Sequence, residues 1–135
     1  MIKNSLGKSG SIGEEISISV STAITTGGDR LVGGITLPVG SWSVSSSLFP
    51  GAASGQKSSE AKLNVKGADG RNKPYDTYFQ AIVDGVGQWA SMICFPTRVV
   101  NIAQGDADKT VSVFVYPYGA NTTATATIKA TRLSF

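Results

Sequence analysis

Residues 123–130 are Thr-Ala-Thr-Ala-Thr-Ile-Lys-Ala, an unbroken alternation of polar and apolar side chains near the end of the 135-residue chain. Successive side chains of a β-strand point to opposite faces, so a period of two predicts a strand with one buried face and one solvated face. Residues 16–21 alternate in the same way, with isoleucine or valine on one side and serine on the other. Both ends of the chain are therefore predicted to form half-buried strands.

The apolar run from residue 31 to residue 49 is divided at Pro38-Val39-Gly40. Because proline cannot donate a hydrogen bond to a central ladder, this division predicts two strands, or one strand that bends at this point. Trp42, Val44 and Leu48 share one face of the second half, and we expect them to lie in the core.

Further strand-like runs follow, separated by turn signals such as Asp84-Gly85. They comprise residues 78–83, 89–95, 98–102 and 111–116. No segment combines a 3.6-residue apolar period with helix caps. A total of about seven to nine short strands predicts an all-β fold, either a β-sandwich or a jelly roll.

The length of the chain predicts a single domain. Residues 1–13 are polar and glycine-rich, and we expect them to form a flexible N-terminal arm before a jelly-roll domain over residues 14–135. Residues 50–77 carry many charges, and only Leu63 and Val65 alternate there. This segment is predicted to be a long surface excursion that contains one short strand.

The composition excludes several kinds of chemical site. With no histidine and one cysteine, these residues cannot form an intrachain disulfide, a zinc site of cysteine and histidine, or a triad with a histidine base. Cys94 lies in an apolar run and is expected to be buried. Glu14 and Glu15 would point to opposite faces of a strand and cannot act together as acid and base, so we expect a solvated strand edge. Asp106 and Asp108 are expected to cap a turn. We predict no enzymatic activity, no cofactor and no metal.

The net charge of +3 is spread over twelve basic residues, no two of which are adjacent. Nucleic-acid-binding proteins concentrate Lys and Arg on one face or in one run, so we expect no nucleic-acid partner. No apolar run approaches the roughly 20 residues that cross a bilayer, and the first residues carry no apolar signal region. We therefore expect no membrane partner and no secretory signal.

Five residues are candidates for contacting partners. Lys3 and Lys8 lie in the arm, which either orders when it binds a neighbour or frays as a free terminus. Trp89, Tyr116 and Tyr118 are aromatic residues near predicted strand ends, where exposed rings anchor protein partners or stack on sugars. The alternatives are that Trp89 lies in the core and that the two tyrosines fill their own turn.

Two stretches together resemble a known family. Residues 35–45, Ile-Thr-Leu-Pro-Val-Gly-Ser-Trp-Ser-Val-Ser, are similar to a strand-turn-strand motif of tumour-necrosis-factor-like and complement-globular-head-like jelly rolls. Residues 100–106, Val-Asn-Ile-Ala-Gln-Gly-Asp, resemble the entry to a late strand of the same folds. The resemblance covers residues 31–49 and 98–135. Residues 50–77 have no counterpart, and residues 107–108 widen the turn.

The resemblance implies a homotrimer, because members of this family commonly assemble around a threefold axis. Members with this Ser/Thr/Gly-rich texture resemble bacteriophage virion proteins, namely capsid decoration proteins, head fibres and tail-needle knobs. The implied function is a non-catalytic decoration (cement) protein in the virion, whose arm and one end of the sandwich dock on the major capsid protein. The alternative is a receptor- or carbohydrate-binding knob that contacts a host surface glycan. A secreted signalling or adhesive trimer is a third class, which the absent signal region disfavours.

Overall fold

The structure is a computed structural model that describes residues 10–51, 58–66, 72–81, 92–103 and 110–135. Eight strands form among these residues. They are β1 (Glu15–Ile24), β2 (Arg30–Thr36), β3 (Gly40–Phe49), β4 (Ser58–Lys66), β5 (Asn72–Ala81), β6 (Ile93–Ile102), β7 (Thr110–Tyr118) and β8 (Thr122–Ser134).

The strands form two four-stranded antiparallel sheets. The first sheet has the order β1-β8-β3-β6, and the second sheet has the order β2-β7-β4-β5. The first and last strands of the chain are neighbours, and most connections pass from one sheet to the other. This is the eight-stranded jelly-roll arrangement of two facing sheets. The predicted all-β sandwich is confirmed, whereas the tumour-necrosis-factor-like type and the trimer remain predictions.

The core lies between the two sheets and contains the residues that the alternation selects. Trp42, Val44 and Leu48 of β3 are fully buried, as predicted. The apolar positions of β8 are also fully buried, and they are Ala124, Ala126, Ile128 and Ala130. Each fully buried Leu or Val contributes about 1.5–3 kcal/mol relative to exposure, so this interior is the main source of stability.

The division at Pro38 produces two separate strands. β2 ends at Thr36 and β3 begins at Gly40, so the bent single strand is excluded. Gly40 has a φ of 139°, and a Cβ atom there would lie 2.5 Å from a terminal guanidinium nitrogen of Arg132 and 2.6 Å from the carbonyl oxygen of Ser134. Glycine is therefore required where β3 enters the sheet beside the end of β8.

Residues 50–77 differ from the predicted excursion with one short strand. β4 pairs with both β5 and β7, which makes it an interior strand of the second sheet, and β5 is the adjacent edge strand. Leu63 is fully buried and lies opposite Val113 of β7. The many charges in this segment are compatible with a strand because an antiparallel sheet can bury one face and solvate the other.

The region around Cys94 also differs from the prediction. Residues 93–95 of the first predicted run and all of the second run, 98–102, belong to one described strand, β6, whose register against β3 shifts between Val44 and Ser46. Residues 89–91 lie outside the described residues. Ile93 and Phe95 are buried, so alternation places Cys94 on the opposite face, where it is exposed. The expected burial of Cys94 is wrong for this reason. The predicted turns at residues 84–85 and 104–108 lie outside the described residues.

Candidate interaction surface at the arm end

An ion pair between Glu14 and Arg132 joins the start of the domain to the end of β8. The Nε atom of Arg132 donates a 3.1 Å hydrogen bond to Oε1 of Glu14. The side chains of Arg132 and Glu14 are only 4% and 10% exposed. Glu14 was expected at a solvated edge, and this expectation is wrong because the guanidinium of a residue distant in sequence covers it. The pair fixes the place where the N-terminal segment enters the first sheet.

The Arg132 guanidinium also contacts β3 and the turn before it. Its NH1 donates a 2.7 Å hydrogen bond to the carbonyl oxygen of Val39. Its central carbon lies 4.4 Å from the centroid of the Trp42 ring and 5.2 Å from that of Phe135. The indole Nε1 of Trp42 donates a 2.9 Å hydrogen bond to the carbonyl oxygen of Pro38. The cation is therefore held by a carboxylate, a carbonyl and two aromatic faces.

Residues 10–13 are attached to this pair. The backbone N–H of Gly10 donates a 2.8 Å hydrogen bond to Oε1 of Glu14, and the N–H of Gly13 donates to the carbonyl oxygen of Arg132 at 2.9 Å. The N–H of Glu14 donates to the carbonyl oxygen of Ser11 at 3.0 Å. Part of the predicted flexible arm is thus an ordered turn. Lys3 and Lys8 lie outside the described residues.

Four exposed apolar side chains lie where these segments meet. They are Ile12 (54% exposed), Val39 (40%), Leu133 (47%) and Phe135 (71%), here called the arm-end patch. Val39 and Phe135 both contact Arg132, Leu133 follows it, and Ile12 precedes the glycine bonded to it. The described part of the chain has three other exposed large apolar residues, and all three lie elsewhere in the sequence: Leu31, Met92 and Val99.

The outer face of the first sheet has a different chemistry, because serines and threonines line it on three adjacent strands. The cross-strand pairs Ser21–Thr125 and Ser19–Thr127 join hydroxyl oxygens at 2.7 and 3.3 Å. This hydroxyl face comprises Ser17, Ser19, Ser21, Ser43, Ser45, Ser47, Thr123, Thr125, Thr127 and Thr131. Stable protein interfaces have an apolar centre, so the arm-end patch is the better contact surface of the two.

The predicted aromatic platform is described only in part. Tyr116 is half-buried on β7, and Tyr118 ends that strand two residues later. Because residues 119–121 connect β7 to the start of β8, both tyrosines lie at the opposite end of β8 from Arg132. Trp89 lies outside the described residues. The structure therefore does not bring these tyrosines together with the arm end.

Among the described residues, no group of three or more His, Cys, Asp and Glu side chains is placed to hold a metal ion. The described part of the chain also contains no helix that is long and apolar enough to cross a membrane.

Comparisons with known proteins identify the fold. No protein-family model and no curated protein matches the sequence. A solved structure of Bacillus endospore appendages, described as disulfide-linked pili, is 13% identical with a TM-score of 0.54, and the match covers 99% of this chain and 98% of that one. The VP2 subviral particle of infectious bursal disease virus is 11% identical with a TM-score of 0.51. That match covers 88% of this chain but 32% of the VP2 chain. At these identities the similarity shows a shared fold.

Proposed function

We propose that this protein is a non-catalytic structural subunit, specifically a decoration protein that binds and stabilises the assembled shell of a bacteriophage. The observation that carries the proposal is the arm-end patch. Four exposed apolar side chains belong to the chain segments that meet at the buried Arg132, at one end of the sandwich, whereas the broad outer face of the first sheet is lined with hydroxyl groups. Such a molecule is suited to contact other protein subunits through the arm-end patch while its hydroxyl face is exposed to water.

The structural neighbours support an assembly function. The same fold occurs in a pilus and in a subviral particle, both of which are assemblies of many subunits. The pili are described as disulfide-linked. This sequence contains one cysteine, which can form one disulfide bond and therefore cannot link a series of subunits by disulfides. The assembly that we propose is therefore non-covalent.

The mechanism of stabilisation is thermodynamic linkage. A protein that binds the assembled shell and not its free subunits lowers the free energy of the assembled state. A homotrimer would carry three copies of each shell contact, so that three weak contacts act together through their high effective concentration. Weak individual contacts are sufficient for this function, and a patch of four side chains is consistent with them.

The proposal is tested with shells prepared without the chain. We expect the purified protein to sediment with these shells to saturation and to raise their melting temperature. Phe135→Ser should weaken binding at least tenfold because it removes the most exposed apolar side chain of the patch. Val99→Ser removes a comparably exposed apolar side chain on β6 and should leave binding unchanged. Absence of saturable binding by the wild-type protein would refute the function, and equal loss in both variants would refute the assignment to the arm end.

A second candidate function is binding of a host surface glycan, as in a knob of a phage fibre or tail needle. Tyr116 is half-buried on β7 of the second sheet, which ends at Tyr118, and tyrosine rings stack on sugars. With Trp89 they would form the predicted platform. A glycan array should then give a signal that Tyr116→Ala removes, and a blank array at high protein concentration would eliminate this candidate.

A further inference from the structure

We infer that the arm-end patch of one copy binds the N-terminal residues 1–9 of a second copy, so that arm exchange holds the oligomer together. The inference deepens the proposed function and rests on its assignment of the arm end as a subunit contact. It commits the patch to one occupant, a segment of this same chain, so that weaker shell binding by Phe135→Ser would follow from loss of the oligomer and of its multiple shell contacts.

The patch is suited to bind an apolar segment. The backbone beneath it is fixed by the Glu14–Arg132 pair and by the hydrogen bond from Arg132 to Val39. Phe135 lies over the guanidinium, which is already paired with a carboxylate. A ligand therefore needs to supply apolar surface and does not need to neutralise a charge. The first six residues include three large apolar side chains, and these are Met1, Ile2 and Leu6.

The position of the arm root allows the arm to reach a second copy. Gly10 is hydrogen-bonded to Glu14, so each arm starts beside its own patch. The residues nearest the root are Gly7, Lys8 and Ser9, which offer little apolar surface. At about 3.3–3.6 Å per extended residue, Leu6 can reach about 14 Å from Gly10 and Met1 about 30 Å. The apolar part of the arm thus has the reach to contact a neighbouring domain, and the part beside its own patch is polar.

The area of the contact also favours inclusion of the arm. A stable interface buries about 800 Å² on each partner, with about 20–30 residues a side. If the patches of two copies met directly, the four side chains on each copy would bury less area than a stable interface needs. An arm of nine residues lying on the patch of the next copy extends the contact. Because arm and patch are different surfaces, the contact can run head to tail, and three copies related by a threefold axis would close it into a ring.

The experiment is disulfide trapping between two single-cysteine variants. Both carry Cys94→Ser. One carries Leu6→Cys, and the other carries Leu133→Cys and a tag that changes its mass. Under mild oxidation of the mixed full-length chains, we expect a heterodimer of one tagged and one untagged chain as the major product. The matched control replaces Leu133→Cys with Ser45→Cys, a thiol on the hydroxyl face, and should give at least tenfold less heterodimer.

The outcomes separate this inference from the proposed function. Equal trapping with the control, or trapping only within one chain when Leu6→Cys and Leu133→Cys are combined, overturns arm exchange. If the free protein is monomeric and still binds shells through Phe135, arm exchange fails while the function stands. If arm exchange is trapped and shells are not bound, the inference stands and the shell function fails.

Discussion

The buried pair of Glu14 and Arg132 makes a quantitative prediction about stability. Glu14→Ala removes the carboxylate that accepts hydrogen bonds from Arg132 and from the N–H of Gly10. Arg132 is 4% exposed, so its charge stays buried, and among the described residues it keeps the Val39 carbonyl and the aromatic rings as partners. Removing one partner of a buried ion pair costs about 3–5 kcal/mol. We expect a loss of about 3 kcal/mol, at the lower end, because these remaining contacts are retained.

The neighbouring residue supplies the matched control. Glu15 forms a 3.2 Å ion pair with Lys129, whose side chain is 50% exposed. An ion pair open to water on one side contributes about 0–1 kcal/mol, so Glu15→Ala should cost at most about 1 kcal/mol. The two substitutions are identical and adjacent in sequence, and they differ in the burial of the partner cation. The ratio of their effects therefore reports the burial of the pair together with the second hydrogen bond, from Gly10, that Glu14 accepts.

The assay is thermal unfolding followed by circular dichroism, with urea unfolding as a second measurement. For 135 residues the entropy of unfolding is roughly 0.3 kcal/mol per degree near the midpoint, so about 3 kcal/mol lowers Tm by about 10 °C. The double variant Glu14→Leu/Arg132→Met should recover much of this loss, because two apolar side chains leave no unpaired buried charge. Equal effects of Glu14→Ala and Glu15→Ala would refute the buried pair, as would a double variant less stable than Glu14→Ala.

Three further predictions concern single positions. Gly51→Ala should destabilise the protein by about 2 kcal/mol or more in urea unfolding, because φ is 92° and the new Cβ would collide with Oγ1 of Thr122. The control is Gly10→Ala, where φ is 80° and the space around the new Cβ is open, and it should cost about 1 kcal/mol. Equal losses of stability in the two variants would contradict the close packing at Gly51. Ser46→Ala should leave stability unchanged or raise it by about 1 kcal/mol, because its buried hydroxyl has no hydrogen-bond partner within the described part of the chain; a loss above about 1 kcal/mol would show that the hydroxyl is satisfied. The exposed Cys94 thiol should react with Ellman's reagent in the folded protein as completely as in urea, and protection in the folded protein would contradict the alternation of β6.

Three strands of the first sheet, β1, β3 and β8, are the part of the fold that the sequence predicts well. Alternation places Trp42, Leu48 and Ile128 in the core, and all three are fully buried. The signal is strong there because one face of each strand is solvated, so polar and apolar residues separate cleanly along the chain. The break at Pro38 is predicted for an equally local reason, since proline lacks the N–H that a ladder needs.

The second sheet and the arm end were harder to predict because their signals are not local. β4 has only a short apolar alternation within a charged segment, and its place between β5 and β7 depends on partners far along the chain. Glu14 looks like a surface residue until Arg132, 118 residues away, is placed against it. Ile12 and Leu133 are unremarkable in sequence, and the hydrogen bond from the N–H of Gly13 to the carbonyl oxygen of Arg132 brings their chain segments side by side. Such a patch can be identified only once the pairing of the strands is known.

The mass of the full-length protein in solution tests the proposed assembly most directly. Light scattering coupled to size exclusion should give about three times the 14.0 kDa of one chain, and Phe135→Ser should shift the mass toward 14.0 kDa while Val99→Ser leaves it unchanged. A wild-type protein that stays at 14.0 kDa at high concentration would contradict the oligomeric account of the arm end.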